Sequence, residues 1–145
     1  MKKKNTLLLF LCLFCLWAVA QEKKPVKIAC VGNSITYGSG IKNQFQNSYP
    51  GLLSQLLGEG YDVRNFGISA RVMLNKGDHP YMHEQKFRDL LAFQPDIVTI
   101  KLGTNDSKPW NWHYGKDFGK DLTEMLDILQ DLPSKPKIYL CFPVP

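Results

Sequence analysis

VGNSIT (residues 31–36) and KLGTND (residues 101–106) are the two stretches that decide the fold. Each follows an apolar run and places small or polar residues where a buried parallel strand would end. In open α/β sheets, the ligand-binding and catalytic groups lie at this carboxyl edge of the strands. The first stretch is predicted to bring the hydroxyl of Ser34 to that edge, and the second to bring the amide of Asn105.

Outward from these stretches, short β-favouring runs alternate with segments of helical periodicity. The predicted strands are residues 25–31, 61–66, 96–102 and 137–142, and the predicted helices follow Ser48, surround Leu90 and cover 118–132. This alternation predicts an α/β fold, a three-layer α/β/α flavodoxin-like parallel sheet with strand order 2-1-3-4. Because no helix follows the fourth strand, we expect the fold to be C-terminally incomplete, as the amino-terminal portion of a longer protein.

The first twenty residues have the layout of a secretory signal peptide. Three lysines precede an apolar stretch over 7–17, and the small residues of 18–20 come just before Gln21. The apolar stretch is too short for a comfortable membrane span, and Phe14 before Cys15 disfavours a lipoprotein signal. We therefore predict one domain over 21–145, exported to the periplasm or the cell exterior, with no stable membrane anchor after cleavage.

Charge and cysteine content narrow the function classes further. The net charge of +5 falls to +2 once the three lysines of the leader are removed, and no arginine-rich stripe is present, so no nucleic-acid partner is predicted.

Cys30 and Cys141 lie in predicted strands one and four, with another strand between them. Two strand spacings are ~10 Å, beyond the ~7 Å limit for a disulfide. We expect two buried free thiols.

Three residues fall at the same edge of three successive strands: Ser34, Gly67 and Asn105. Each has an ordinary structural interpretation when taken alone. A serine or asparagine after a strand commonly caps a turn, and a glycine commonly allows one. Their shared position at one edge is what favours a functional interpretation over three unrelated turns.

The segments 32–34 (GNS) and 103–106 (GTND), with Gly67 between them, resemble the first three sequence blocks of the SGNH hydrolases, also called GDSL-type esterases and lipases. The resemblance covers the chain from about residue 26 to its end. It implies that Ser34 is the nucleophile and that the Ser34 amide, the Gly67 amide and the Asn105 side chain form an oxyanion hole. It also implies that Asp106 holds the loop by hydrogen bonds.

The sequence departs from that family in two places. Asn33 stands where the family has an aspartate, and both side chains can cap a turn. The family's catalytic pair lies in an Asp-x-x-His block, and nothing after Asn105 matches it. Because a serine hydroxyl without a base is a poor nucleophile, we expect the 145-residue chain itself to show little or no hydrolysis.

The remaining histidines leave the base unassigned. His113 lies in the aromatic loop after Asn105, where solvent exposure or contact with substrate is favoured over the role of a base. His79 and His83 follow Asp78 without a recognisable zinc spacing, so neither a metal nor another cofactor is predicted.

An aromatic group, Trp110 and Trp112 with His113 after it, is the predicted substrate-binding element. Flat aromatic faces stack on sugar rings, although either tryptophan could instead cover the sheet edge. The resemblance, strongest to bacterial sialate O-acetylesterase or lysophospholipase-like members, implies a serine ester hydrolase, and the predicted signal peptide indicates that it is exported. We favour a carbohydrate O-acetylesterase acting through a Ser34 acyl-enzyme on a small-molecule or glycan ester. The alternatives are a lysophospholipase or thioesterase-type acyl hydrolase, and a non-catalytic glycan-binding module. The sequence makes no prediction of oligomeric state.

Overall fold

Residues 24–142 are described in the computed structural model, so the predicted signal peptide lies outside the described residues. The chain forms a parallel sheet in the order β2-β1-β3-β4, which confirms the predicted order. The strands are β1 (Val26–Gly32), β2 (Tyr61–Gly67), β3 (Ile97–Lys101) and β4 (Lys137–Leu140).

Six α-helices and two 3₁₀ turns connect and flank the described strands. The α-helices are α1 (Ser34–Tyr37), α2 (Gln44–Asn47), α3 (Tyr49–Leu57), α4 (Gln85–Phe93), α5 (Pro109–Trp112) and α6 (Phe118–Gln130), and the 3₁₀ turns are Tyr81–His83 and Gly115–Asp117. The three longer helices are the predicted ones. The one-turn helices α1 and α2 stand where a glycine-rich polar loop was expected, because segments this short carry no apolar period.

One face of the sheet carries the hydrophobic core. Successive strand residues point to opposite faces, so alternate positions of β1 and β3 meet the same layer of helices. This layer is formed by α4 and α6, whose apolar stripes face the sheet. The buried residues of this core, from both the strands and the helices, include Ala29, Val31, Phe87, Leu90, Val98, Ile100, Met125 and Leu129.

The opposite face is covered by α3. Cys30 and Thr99, which point away from the core layer, lie beneath Tyr49 at the start of this helix, and the Tyr49 hydroxyl is 2.9 Å from Thr99 Oγ1. Burial of the Tyr49 phenol raises its pKa well above the ordinary range. With helices on both faces, the sheet has the predicted three layers.

The register of the strands brings their carboxyl ends to one level. Gly32 at the end of β1 pairs with Gly67 at the end of β2 on one side and with Lys101 at the end of β3 on the other. The loops that follow β1, β2 and β3 therefore leave the sheet side by side. This is the edge at which the candidate residues were predicted to meet.

Strand β4 corrects the prediction for the cysteines. It ends at Leu140 rather than 142, and its exposed residues reflect an outer edge that no described strand covers. Both thiols are free, and Cys30 is buried as predicted. The prediction is wrong for Cys141, which is exposed because it lies just past the end of this edge strand.

Within residues 24–142, no helix combines the length and apolar character that a bilayer crossing needs.

Candidate active site

Ser34 is the first residue of α1, directly beyond the end of β1, and is half-buried. The preceding residue caps this helix: Asn33 is 1% exposed, and its Oδ1 accepts the Ile35 N–H at 3.0 Å. A capping role is the one expected for Asn33 in place of an aspartate. The Ser34 N–H belongs to the first helical turn, whose amides lack intrahelical acceptors. Neither this N–H nor Ser34 Oγ has a hydrogen-bond partner among the described residues.

Asn105 lies in the loop after β3 and is 8% exposed. Its side-chain Nδ2 donates one hydrogen bond to the Arg71 carbonyl at 3.1 Å, and its own carbonyl accepts from Asn111 Nδ2 at 2.9 Å. Since an amide nitrogen carries two hydrogens, one of them has no acceptor within residues 24–142. Asn105 is thus held on both sides while keeping a donor free.

Asp106 is fully buried and joins two loops. Its Oδ1 accepts the Met73 and Leu74 N–H groups, each at 2.8 Å. The structure therefore shows the loop-holding hydrogen bonds that the family resemblance implied. Burial raises the pKa of the Asp106 carboxyl, and the N–H donors of Leu74 and Met73 only partly oppose this effect.

Gly67 differs from its expected role as a free oxyanion donor. Its N–H donates to Asn65 Oδ1 at 2.9 Å, and Asn65 Nδ2 in turn donates to the Thr36 carbonyl at 3.0 Å. The absence of a side chain at Gly67 is what this site uses. A Cβ there would lie 2.3 Å from the Tyr37 backbone nitrogen, so the glycine lets α1 pack directly on the end of β2.

The turn just after β2 contains donors that the sequence did not reveal. Ala70 adopts a left-handed conformation with φ of 67°, which is uncommon for a residue with a side chain. The N–H groups of Ser69 and Ala70 have no acceptor among the described residues. Ser69 Oγ is 2.6 Å from Ser39 Oγ, and the Ser39 N–H donates to the Ser34 carbonyl at 3.0 Å. This turn therefore lies beside α1. The sequence could not predict it, because nothing in a single sequence marks an alanine that adopts positive φ.

The predicted substrate-binding residues lie together on and after α5. Trp110 and Trp112 are 60% and 55% exposed, and His113 is also exposed. The His113 ring packs edge-on against Tyr114, with 5.1 Å between centroids, and no hydrogen bond joins it to Ser34. Nothing in the described part of the chain therefore places His113 as a base.

Across residues 24–142, no three His, Cys, Asp or Glu side chains are grouped to hold a metal ion.

Residues 30–145 match the sequence model of the GDSL-like Lipase/Acylhydrolase family. The chain belongs to this family. It is also 50% identical to a protein named acetylxylan esterase from Xylanibacter ruminicola, in an alignment that covers 87% of this chain and 30% of that protein. The chain thus spans less than a third of this curated relative.

Solved structures share the family's fold. The inhibitor-bound aryl esterase of M. smegmatis superposes with a TM-score of 0.64 at 22% identity, over 83% of this chain and 65% of that one. AlinE4, an SGNH-hydrolase family esterase, gives a TM-score of 0.59 at 23% identity, over 81% and 58% of the two chains. These likenesses support the α/β fold predicted from the sequence.

A groove of about 790 Å³ lies between α3 and the outer edge of β2. Its lining includes Tyr37, Phe45, Pro50 and Val63 but neither Ser34 nor Asn105. Tyr37, the last residue of α1, is the point at which this groove approaches the candidate site. We place the candidate site at Ser34, because the loops after β1, β2 and β3 leave the sheet side by side at that edge.

Replacing Gly67 by alanine tests the close packing of α1 on β2. Gly67→Ala is expected to lower the free energy of unfolding by about 1–3 kcal/mol, because the new Cβ overlaps the Tyr37 backbone. Urea unfolding followed by circular dichroism measures the change. The control is Gly60→Ala, whose Cβ meets nothing within 4 Å and which should stay within about 0.5 kcal/mol of the unaltered chain. Equal stabilities for the two variants would contradict this packing.

The buried carboxyl of Asp106 should make stability depend on pH in an unusual direction. Because the pKa of Asp106 is raised, the folded state binds this proton more tightly than the unfolded state does. The protonated carboxyl therefore contributes its full stability below the ordinary pKa of an aspartate. This contribution is lost as the pH rises through the higher pKa of the folded state. Asp106→Asn cannot titrate, and any cost of its buried amide is independent of pH. The unfolding free energy of the unaltered chain relative to this variant should therefore fall from pH 4 to pH 7. A difference that stays constant or grows would refute the raised pKa.

Proposed function

We propose that the protein is a serine ester hydrolase that removes acetyl groups from a carbohydrate, with Ser34 as the nucleophile. The observation that carries this proposal is the position of Ser34 at the start of α1, beside the Asn105 loop, with unpaired donors at both residues. Support for the substrate class comes from the 50% identity to a protein named acetylxylan esterase. Acetylated xylan is therefore the first substrate to test.

In the proposed reaction, Ser34 Oγ attacks the acetyl carbonyl as its proton passes to a base. The tetrahedral intermediate expels the sugar alcohol, which takes up the proton, and leaves an acetyl-enzyme. Water then attacks this ester, releases acetate and restores the serine hydroxyl. The mechanism requires a histidine oriented by a carboxylate, as in the family's Asp-x-x-His block, which residues 1–145 do not contain.

The negative charge that develops on the carbonyl oxygen needs fixed donors. We assign two of them as expected, the Ser34 N–H and the Asn105 side-chain amide. The third was expected from Gly67, whose N–H donates to Asn65 instead. We assign the third to the turn at 69–70, whose N–H groups are unpaired among the described residues and whose Ser69 contacts Ser39 just after α1.

Export through the predicted signal peptide fits this function, because polymeric glycans are met outside the cytoplasm. Within the aromatic element predicted from the sequence, Trp110 and His113 are proposed to contact the glycan, whereas Trp112 packs against Phe118. If the chemistry is absent, the same surface would act as a glycan-binding module. Release of acetate distinguishes the esterase from the glycan-binding module.

Acetate release from acetylated xylo-oligosaccharides tests the nucleophile. The product of the complete reading frame that contains this chain should release acetate, and Ser34→Ala should reduce kcat by at least about a thousandfold, since the attacking oxygen is removed. Ser134→Ala, in the turn before β4, is the serine control and should retain activity, because its hydroxyl has no hydrogen-bond partner within residues 24–142. The 145-residue chain alone should release little acetate. Turnover that survives Ser34→Ala would rule out the proposed mechanism.

The acyl-hydrolase alternative draws on the groove beside Tyr37, which could accommodate a longer acyl chain. Rates on p-nitrophenyl esters of increasing chain length separate the two functions. An acetylesterase should show its highest kcat/KM on the acetate and lose activity by about tenfold or more at eight carbons, since one pocket must exclude the added methylenes. Faster turnover of the longer esters would favour the lysophospholipase or thioesterase function.

A further inference from the structure

Trp110 is the exposed aromatic residue whose ring is held in place. Its indole is 60% exposed, yet its Nε1–H donates to Asp78 Oδ2 at 3.2 Å. The Lys108 ammonium lies over the ring, 5.6 Å from its centre. Lys108 thus approaches one face of this largely exposed ring. A fixed aromatic face binds with little loss of side-chain freedom.

Asp78 is itself held by two contacts from one buried residue. Its N–H donates to Asn111 Oδ1 at 2.9 Å, and its Oδ1 accepts from Asn111 Nδ2 at 3.0 Å. Burial raises the pKa of the Asp78 carboxyl, but hydrogen bonds from Asn111 and Trp110, with His79 and Lys108 nearby, lower it by more. Asp78 is therefore an ionised, oriented acceptor at neutral pH.

Asn111 joins this acceptor to the candidate active site. It is 1% exposed, and the Nδ2 that donates to Asp78 also donates to the Asn105 carbonyl at 2.9 Å. A chain of hydrogen bonds thus runs from Trp110 through Asp78 and Asn111 to Asn105. The exposed indole is thereby fixed relative to Asn105, whose side-chain amide is proposed to bind the oxyanion.

Trp112, only two residues away, is placed differently. Its ring lies so close to Gly115 that a Cβ there would be 2.8 Å from Trp112 Cδ2. Its centroid is 6.3 Å from that of Phe118. Trp112 packs against the start of α6, and no hydrogen bond ties its indole nitrogen to the Asn105 loop within residues 24–142. The two tryptophans that the sequence treated alike are structurally distinct.

We propose that Trp110 and Asp78 form a saccharide subsite, in which a neutral sugar ring stacks on the indole and donates hydroxyl hydrogen bonds to the carboxylate, and that Trp112 takes no part in it. The choice of a glycan rests on the proposed function. The subsite's chemistry agrees with that choice, since an apolar face suits the C–H groups of a sugar and a carboxylate accepts from hydroxyls. The same carboxylate repels anionic ligands such as nucleic acid.

Titration of the purified chain with xylohexaose, followed by calorimetry and tryptophan fluorescence, tests the subsite. Trp110→Ala should weaken binding by about tenfold or more, because the stacking face is lost. Trp110→Phe, which keeps a face but loses the bond to Asp78, should fall between Trp110→Ala and the unaltered chain. Trp112→Ala is the matched control and should change Kd less than about twofold. Melting temperatures verify that each variant is folded.

Absence of xylohexaose binding by the unaltered chain would overturn the subsite, as would a Trp112→Ala effect equal to that of Trp110→Ala. The outcome is separable from that of the acetate experiment, because binding at Trp110 does not use the Ser34 hydroxyl. Ser34→Ala should bind xylohexaose with unchanged Kd. Binding through Trp110 without any acetate release would leave the subsite intact and refute the esterase, whereas acetate release with no role for Trp110 would do the reverse.

Discussion

The hydrogen bonds of one buried carboxylate, Asp106, hold together the loops from which the candidate site is built. Its Oδ1 takes the N–H groups of Met73 and Leu74, both in a buried segment that would otherwise leave these donors unpaired. A buried donor without a partner costs about 1–3 kcal/mol. The segment after β2 is thereby fixed against the loop after β3, and the Arg71 carbonyl comes to lie within reach of Asn105. The orientation of the Asn105 amide follows from this contact.

A second set of polar contacts stabilises the same loop from its other side. Asn111 bonds to the Asn105 carbonyl and to Asp78, while Arg71 forms a 2.7 Å ion pair with Glu84 at the start of α4. The elements of the sheet determine where the loops begin, and these buried or half-buried polar groups determine where the loops go. Loss of one such group leaves its partner unpaired, so the contacts reinforce one another.

The strands and the longer helices were predictable because each bears a local signal. The apolar runs before Gly32, Gly67 and Gly103 indicated strands, and the edge rule for parallel sheets then placed Ser34 and Asn105 together. The contacts of Asp78 with Asn111 were not predictable, because the two residues are 33 positions apart and neither carries a periodic signal. Nor was the engagement of the Gly67 amide, since it depends on the Asn65 rotamer. Local sequence thus specifies elements, and pairings across loops appear only in three dimensions.

The two described thiols differ in a way that has a practical consequence. Cys30 is buried on the α3 face of the sheet, where burial raises its thiol pKa and keeps it protonated, whereas Cys141 is exposed just beyond the uncovered edge of β4. Alkylating reagents attack accessible thiolates. Among residues 24–142, Cys141 is therefore the one exposed thiol to which a thiol-reactive fluorophore or spin label can be attached without altering the sequence. The fluorescence or mobility of such a label would change when a segment or partner docks along β4, so Cys141 is a natural site for detecting binding at that edge.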